Sequence, residues 1–400
     1  MPRRPHHSPR SAASLHNIHA IANSGGSMVI TLPRACALAA ACTVVLTACG
    51  GSTDTNGSAK PTSAVDVGKA APATPLDPKT IARAKDQGSL LLYTNADADQ
   101  MAPLTKAFEA KYAGIKVRVL NMNDTQTFQR YATETATGVR TADVVMATDA
   151  VDMLNFVDKG SVVDYDDPNL AHLPSYAKLA PGVFAMSEDP LVAVYNTALI
   201  SKDEQPKDLK SLAELSKSIK GKVGTTDISN PQSFGAVSNY TAKHGEAGWK
   251  NIEALGPNSG VESGNGNLIQ KLAQGQYRAT YFVAGSVRAL IEGEKAAKIL
   301  NYTYLTDGTP LLPRAVAVTK KAKSPDAGKL FVNFLLSVEG QQAACKGGFT
   351  PYRDGVKCPY GLPAIEAVVG KDNMMLGGYP KDIVKNKPSI VERWKKAYGR

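Results

Sequence analysis

A short apolar segment in the middle of the chain, Leu191–Ile200, constrains the fold more than any other feature. It contains the β-branched residues Val192 and Val194 and no charged residue, which predicts a buried strand. A second segment of this kind runs from Arg314 to Thr319, and alternating strand and helix signals lie on both sides of each. A chain that crosses from one α/β lobe to another and then returns has this layout. We therefore predict an α/β protein with two lobes, joined by two crossovers, and a ligand cleft between them.

Composition and charge narrow the class of protein. The 400 residues are 43% hydrophobic, enough for two medium-sized cores, and only 6% are aromatic, which argues against an aromatic-lined sugar site. Four of the 46 basic residues and none of the 36 acidic residues lie in residues 1–48, so the net charge of +10 falls to +6 for the remainder. The basic residues are dispersed, without an arginine-rich or aromatic-interleaved patch. We expect a mildly basic body that does not bind nucleic acid.

The N-terminal region has the pattern of an export signal. Fourteen uncharged, mostly apolar residues follow Arg34, which is too short for a membrane span and typical of a signal peptide. They end in Leu46-Thr47-Ala48-Cys49, which resembles the bacterial lipobox, whose cysteine is lipidated and becomes the new N-terminus. An ordinary signal peptide is the alternative. We predict a signal peptide over 1–48 (of which 1–27 would precede a start at Met28), lipidation of Cys49, and anchoring to the outer face of the bacterial cell membrane.

The segment after Cys49 is predicted to be a tether. Residues 49–76 are rich in Gly, Ser, Thr, Ala and Pro and contain no aromatic residue, which is typical of a disordered linker. Because the other N-terminal cysteines leave with the signal, only Cys345 and Cys358 remain for pairing. An even pair in an exported chain predicts a disulfide, with two free thiols as the alternative.

The folded part begins with alternating elements. Asp77-Pro78 predicts the start of a helix that ends near Gly88. The strands Ser89–Tyr93, Lys116–Leu120 and Ala142–Ala147 follow, with helices between them, so the order is β-α-β-α-β. This order predicts a mostly parallel sheet covered by helices. After the first crossover, the pattern repeats with the strands at 222–225 and 279–284.

Several short motifs, taken in order, resemble those of one family. They are the lipobox, Ala142-Asp143-Val144-Val145-Met146, Tyr195-Asn196-Thr197, Asp307-Gly308-Thr309-Pro310 and Leu336–Gln341. Together they resemble the extracellular solute-binding proteins of ABC importers, in the group that binds ferric ion, thiamine, polyamines and phosphonates. The resemblance covers about residues 86–345. It implies a type II periplasmic-binding-protein-like fold, a small-molecule ligand, a membrane permease as partner, a monomeric state and no cofactor. The expected lobes are 77–189 with 314–345, and 190–313 with 346–400, which includes the closing helices.

The family fold implies that the ligand binds where loops at the carboxyl ends of strands from both lobes meet. In this chain these loops are rich in Ser, Thr, Asn and Gly, and several precede helices, which suits a phosphate, phosphonate or carboxylate group. Any one of these residues also has a structural alternative as a turn or helix cap. Arg288 is expected to pair with the anion. The full set of candidate ligand-binding residues is Thr94, Asn95, Asp97, Thr148, Asp149, Asp227, Ser229, Asn230, Ser233, Asn265, Gly285, Ser286 and Arg288.

A ferric-ion binder is the main alternative. The iron binders of the family resemble one another in an adjacent Tyr-Tyr pair, whereas this chain has Tyr281-Phe282 at that place. Oxygen ligands for iron could still come from Tyr281 and Tyr277, although the leading hypothesis assigns no metal. A polyamine would need acidic residues with aromatic walls, and the candidate loops contain few aromatics.

Enzymatic function is not expected. The chain lacks the Gly-x-Ser-x-Gly, His-Glu-x-x-His and Gly-x-x-x-x-Gly-Lys motifs, so no catalytic residue is assigned. A secreted hydrolase with two aspartates as an acid–base pair remains a remote alternative, as does a purely structural lipoprotein. The sequence therefore predicts a substrate-binding lipoprotein of an ABC importer that captures a phosphonate, an organophosphate or another small anion.

Overall fold

The computed structural model describes residues 72–293, 299–380 and 382–400. The signal peptide, Cys49 and most of the predicted linker lie outside these residues. The last part of the predicted linker, residues 72–76, contacts the folded body: the Thr74 amide donates to Asn169 Oδ1 at 3.1 Å, and the Thr74 carbonyl accepts from Asn333 Nδ2 at 3.0 Å. The linker prediction therefore extends a few residues too far.

The described residues alternate between helices and strands. In chain order through the first crossing strand, the elements are α1 (Pro78–Gln87), β1 (Ser89–Thr94), α2 (Ala98–Lys111), β2 (Lys116–Asn121), α3 (Asp124–Thr137), β3 (Val144–Ala147), α4 (Ala150–Asp158), β4 (Lys178–Ala180) and β5 (Val183–Asn196). The remainder comprises α5 (Leu209–Ser218), β6 (Val223–Thr226), α6 (Pro231–Leu255), β7 (Ser259–Glu262), α7 (Asn265–Ala273), β8 (Ala279–Ala284), α8 (Val287–Gly293), β9 (Leu300–Thr303), β10 (Thr309–Val318), α9 (Pro325–Leu336), α10 (Val338–Lys346), α11 (Leu362–Val369), β11 (Met374–Leu376) and α12 (Ile383–Ala397). Short 3-10 turns connect several of them.

Local chemistry explains where many of these elements begin and end. Asp77 caps α1 through a hydrogen bond from the Thr80 amide, Pro78 takes the first helical position, and Gly88 ends the helix in the left-handed conformation. Strand β3 consists of four buried residues, as expected for a central strand that helices cover on both faces. The boundaries of α1 agree with the prediction from the sequence, whereas β3 begins two residues later than the predicted strand Ala142–Ala147.

The strands form one continuous path in the order β2-β1-β3-β10-β5-β8-β6-β7, with β4 and β9 paired to β5 and β11 paired to β10. The pairs at each end of the path are parallel, whereas β10 pairs antiparallel with both β3 and β5. Strand β5 changes partner along its length: Val183–Pro190 pairs with β10, and Leu191–Tyr195 pairs with β8. It therefore starts earlier than the predicted strand and ends at Asn196, where a turn replaces the expected last residues.

The path divides into two lobes, which we call lobe 1 (the sheet β2-β1-β3-β10 and the first half of β5) and lobe 2 (the second half of β5 with β8, β6 and β7). Helices cover both faces of each. In lobe 1, a cluster around Phe108, Phe331 and Phe334 lies on one face, and a cluster around Tyr131 and Phe156 lies on the other. In lobe 2, one cluster includes α5, α6 and α12, and the other includes α7 and α11. This is the two-lobed type II periplasmic-binding-protein-like fold that the sequence predicts.

Candidate ligand-binding site

Loops of both lobes line a cavity of about 680 Å³. Lobe 1 contributes the start of α2, with Asp97 and Gln100, and lobe 2 contributes Asn265 and Ser286. The end of α10 and the two residues after it complete the wall. A smaller space of about 10 Å³, shared in part by the same residues, extends inward to Arg314, and it has room for one water molecule. The cleft therefore ends at an arginine of a crossing strand.

Arg314 is fixed at the inner end of the cleft by partners from distant parts of the chain. Its side chain is only 6% exposed, and its Nε donates to Asp189 Oδ2 at 3.1 Å. Its Nη1 donates to Asn95 Oδ1, and the guanidinium lies 5.2 Å from the ring centroid of Phe349. Among the described residues, Nη2 has no hydrogen-bond partner. A buried cation that is held on two sides and unpaired on a third is suited to bind an anionic group.

Asn95 connects Arg314 to a buried carboxylate. Its Nδ2 donates to Asp124 Oδ2 at 3.0 Å and to Thr148 Oγ1 at 2.9 Å. Thr148 also donates to Asp124, from Oγ1 at 2.8 Å and from its amide at 3.3 Å. Asn95 and Thr148, both predicted from the sequence, are thus part of one network with Arg314.

The surroundings of Asp124 raise the pKa of its carboxyl group. Burial raises the pKa of Asp124 to about 6, the hydrogen bonds from Thr148 and the charge of Arg314 act against that shift, and the charge of Asp149 adds to it. Because a pKa near 6 lies close to neutral pH, the charge at the inner end of the cleft depends on pH.

The other predicted residues of lobe 1 form turns and caps. Thr94 Oγ1 accepts a hydrogen bond from the Ala96 amide at 3.1 Å. Asp149 Oδ1 accepts from the Val151 amide at 2.9 Å as the cap of α4. Asp97 precedes α2 and is exposed on the cavity wall. Of these, only Asp97 lines the cavity.

The predicted loop 227–233 of lobe 2 is also mainly structural. Asp227 accepts from the amide and the hydroxyl of Ser229, at 2.9 and 2.7 Å, and lies 3.4 Å from Arg400. Asn230 caps α6, and the hydroxyl of Ser233 donates to the last carbonyl of β6 at 2.9 Å. None of these four predicted residues lines the cleft, whereas the neighbouring Gln232 does.

The loop that follows β8 lies at the cleft, as predicted. Gly285 lines the inner space, and Ser286 lines both spaces. A Cβ atom on Gly285 would lie 2.8 Å from the Pro190 carbonyl oxygen, so only glycine permits this contact with the crossing strand. Asn265 joins two parts of the wall, because its Nδ2 donates to Gln232 at 2.9 Å and its Oδ1 accepts from the Ala284 amide at 3.3 Å.

Arg288 has a different environment from the predicted one. It is 1% exposed, and its Nε donates to the Gly285 carbonyl at 2.7 Å. Its Nη1 donates to Tyr304 Oη at 2.8 Å, and its Nη2 donates to Thr350 Oγ1 at 2.7 Å. Arg288 lines neither space of the cleft. Its donors hold three segments of lobe 2 together, so its role here is structural and the anion-pairing prediction for it is replaced.

The tyrosines of the iron hypothesis lie outside the cleft. Tyr281 is fully buried, and its hydroxyl contacts those of Ser259, at 3.3 Å, and Tyr398. Tyr277 donates to Glu262 at 2.5 Å. Within residues 72–293, 299–380 and 382–400, no group of three or more His, Cys, Asp or Glu side chains could hold a metal ion. Neither Tyr277 nor Tyr281 lines the two spaces of the cleft.

Six residues at the inner end of the cleft are not predicted by the sequence pattern, namely Gln100, Asp124, Asp189, Gln232, Arg314 and Phe349. One signal was present. Arg314 begins a segment that is otherwise apolar and buried, and an arginine in a buried strand is rare unless it is paired. The partners of Arg314 come from distant parts of the chain, namely the loop after β1, strand β5 and the loop after α10, so the sequence pattern could not identify them.

Cys345 and Cys358 form a disulfide with an S–S distance of 2.02 Å. It ties the end of α10 to the loop before α11. Between the two cysteines, the Thr350 amide donates to Asp189 Oδ1 at 3.3 Å, and Phe349 lies against Arg314. The disulfide therefore closes a loop that packs against the inner end of the cleft.

The sequence of this chain matches the model of a known protein family. Residues 103–362, well over half of the chain, match the model of the bacterial extracellular solute-binding proteins. The chain belongs to this family. Extracellular solute-binding proteins act outside the cytoplasm, as the name of the family states. Among the residues that the structure describes, no helix is long and apolar enough to cross a membrane. No curated protein sequence matches this chain.

Solved structures of solute-binding proteins share the fold. The substrate-binding protein of an ABC transporter from Agrobacterium tumefaciens has a TM-score of 0.68 at 20% identity, covering 79% of this chain and 97% of its own. Iron-bound HitA from Pseudomonas aeruginosa has a TM-score of 0.63 at 21% identity, covering 77% of this chain and 99% of its own. AfuA from Actinobacillus pleuropneumoniae, with fructose-6-phosphate bound, has a TM-score of 0.64 at 20% identity, covering 78% and 99%. At these identities the similarity is one of fold.

Proposed function

We propose that this solute-binding protein captures a small anionic solute, such as a phosphonate or an organophosphate, and delivers it to the permease of an ABC importer. The observation that supports an anion is the Nη2 of Arg314 at the inner end of the cleft, which has no hydrogen-bond partner among the residues that the structure describes. An arginine donates well to phosphate and phosphonate oxygens, and burial strengthens such a charge-assisted hydrogen bond.

The N-termini of the helices around the cleft support anion binding less than the sequence predicted. Asp149 and Asn230 already accept hydrogen bonds from the first amides of α4 and α6, so these amides are occupied before a ligand arrives. The proposal therefore depends on Arg314 and on the polar groups near it, which are Gln100, Gln232 and Ser286. These three side chains would contact the rest of the solute.

The comparisons support two ligand chemistries to different degrees. AfuA was solved with fructose-6-phosphate, so a phosphorylated solute fits between lobes of this type. Iron-bound HitA shows that the same fold also carries ferric ion. In this chain, however, the hydroxyls of Tyr277 and Tyr281 form hydrogen bonds outside the cleft. We therefore favour the anion.

Delivery to a permease and the location of the protein follow from the family and the N-terminal sequence. We propose that Cys49 carries a lipid, that the following linker tethers the protein to the outer face of the cell membrane, and that the protein acts as a monomer. Solute binding to both lobes would favour closure about the two crossing strands, at residues 190–196 and 308–314, because a ligand shifts the population towards the form that it binds better. No catalytic step is part of this proposal.

Thermal unfolding of the lipid-free protein with a panel of solutes tests the function. The panel contains an alkylphosphonate, fructose-6-phosphate, inorganic phosphate, spermidine, thiamine and ferric citrate. A true ligand at 100 times its Kd should stabilise the protein by about 2.7 kcal/mol. We expect this shift with a phosphorus anion and none with spermidine or thiamine.

Two arginine variants form a matched pair for this test. Arg314→Lys should weaken binding of the phosphorus anion by roughly tenfold or more, because a charge-assisted hydrogen bond contributes about 1.5–3 kcal/mol. Arg288→Lys should lower the Tm and weaken binding of the phosphorus anion far less than Arg314→Lys does. Stabilisation by ferric citrate alone, together with a tyrosinate charge-transfer colour, would contradict the anion assignment, as would full affinity in Arg314→Lys.

A further inference from the structure

The C-terminal segment, residues 374–380 and 382–400, forms a third connection between the lobes, and we call it the C-terminal strap. It begins at β11, which pairs in parallel with the start of the crossing strand β10. The Gly377 amide then donates to the Leu311 carbonyl at 2.9 Å. The strap ends with α12, which packs against α6 of lobe 2 and against α4 of lobe 1.

The second half of α12 is firmly attached to lobe 2. Arg393 donates to Glu253 at 2.8 Å and to both carboxylate oxygens of Glu246 at 2.7 and 2.8 Å, and its guanidinium lies 4.5 Å from the ring of Trp249. Trp394 is 1% exposed and stacks on Tyr398. These ion pairs and aromatic contacts hold one end of the strap in place.

A close backbone contact adds to this attachment. The Ala397 carbonyl oxygen would lie only 2.2 Å from a Cβ atom on Gly256. The end of α12 therefore approaches lobe 2 at a position where only glycine fits.

The first part of the strap contacts lobe 1. Val151 of α4 and Ile383 of α12 belong to the same buried cluster. Tyr379 packs against the lobe 1 cluster that contains Tyr131 and Phe156. Lys387 lies 5.3 Å from the ring centroid of Phe234 in lobe 2. Burial and the charge of Asp149 raise the pKa of Asp152 in α4, and the positive charge of Lys387 acts against that rise. The strap thus connects the two lobes in addition to β5 and β10.

The contact with lobe 1 is the weaker of the two. The hydroxyl of Tyr379 is buried and has no hydrogen-bond partner among the described residues, which disfavours this arrangement. Burial raises the pKa of Tyr379, and the charges of Asp149, Asp124 and Glu188 raise it further. Pro388 lies inside α12 between the two contacts and cannot donate an intrahelical hydrogen bond. The first turn of α12 can therefore separate from lobe 1 while the second half stays attached to lobe 2.

We propose that the C-terminal strap is a releasable latch that holds the lobes in the arrangement seen here and detaches from α4 when the cleft opens. The packing of Tyr379 against lobe 1 is the part of the latch that a substitution can strengthen or weaken. This inference goes beyond the proposed function, because it concerns the equilibrium of the lobes without ligand and does not depend on which solute binds.

The test measures the distance between the lobes in the ligand-free, full-length chain. Spin labels on unnatural amino acids at Lys106 of α2 and Lys210 of α5, both exposed, leave the cysteines untouched. Tyr379→Phe should shift the ratio of the two distance populations about fivefold or more towards the arrangement seen here, because it removes a buried hydroxyl that has no hydrogen-bond partner among the described residues. Tyr379→Ala, which removes the packing against lobe 1, should shift the ratio in the opposite direction.

Lys385→Asp is the control, because Lys385 lies in the strap at an exposed position. We expect it to leave the distances unchanged. The latch is refuted if Tyr379→Ala gives the wild-type distribution while remaining folded by circular dichroism. It is also refuted if Tyr379→Phe shifts the ratio away from the arrangement seen here.

Discussion

At the scale of single residues, two arginines show how environment decides role. Arg288 and Arg314 are both almost fully buried. The hydrogen bonds of Arg288 join Gly285, Tyr304 and Thr350. In the part of the chain that the structure describes, Arg314 has one nitrogen, Nη2, without a hydrogen-bond partner beside the cleft. The matched lysine variants proposed above separate these roles, since one should mainly change stability and the other mainly affinity.

Asp124 should make stability depend on pH. Burial raises its pKa from 3.8 to about 6, so the folded state holds this proton more tightly than the unfolded chain does. The contribution of Asp124 to the free energy of unfolding is therefore greatest below pH 4 and is lost as the pH rises from about 4 to about 6, by roughly 2–3 kcal/mol.

Urea unfolding of the wild type and of Asp124→Asn at several pH values between 4 and 7.5 measures this effect. The difference between wild type and variant should fall through the stated window and be constant above it. A difference that does not change with pH would contradict the raised pKa, while the effects of other carboxylates cancel because both proteins share them.

At the scale of elements, the loop between α10 and α11 connects the two arginines. Its Thr350 accepts from Arg288 through its hydroxyl and donates to Asp189, the partner of Arg314, through its amide. The disulfide between Cys345 and Cys358 closes this loop. The covalent link therefore fixes the part of the chain that positions the inner end of the cleft.

Removal of the disulfide should weaken the fold. The double variant Cys345→Ala with Cys358→Ala should lower the free energy of unfolding by about 3 kcal/mol, because the link restricts the unfolded chain. Chemical denaturation with and without reductant measures this loss. Reductant should destabilise the wild type and leave the double variant unchanged; equal responses in the two proteins would contradict the role of the disulfide.

At the scale of the whole molecule, β5 and β10 pass from one lobe to the other, and the C-terminal strap adds a third connection. Ligand binding to both lobes should favour a more compact form. We expect small-angle X-ray scattering to show a smaller radius of gyration once the phosphorus anion identified by thermal unfolding is saturating. In Arg314→Lys at the same ligand concentration, the decrease should be smaller, and an unchanged radius in the wild type would argue against closure.

Much of the fold could be predicted from the sequence. The helix that begins at Asp77-Pro78, the buried strand that ends at Ala147 and the crossing strands all follow from local signals, because caps and hydrophobic periodicity act over a few neighbouring residues. The extent of β5 was less accessible. Its first half contains the adjacent acidic residues Glu188 and Asp189, which interrupt the apolar pattern that predicts a buried strand. The pairing of this half with β10 is visible only in the structure.

The site was only partly predictable, for the same physical reason. The sequence by itself determined which loops follow the strands, and four of the predicted residues, Asn95, Thr148, Asn265 and Ser286, lie at the cleft or contact residues that line it. Only the tertiary structure decided which arginine reaches the cleft. The partners of Arg314 lie 219 residues away at Asn95 and 125 residues away at Asp189, and contacts over such separations arise from the packing of the whole chain, which no local pattern encodes.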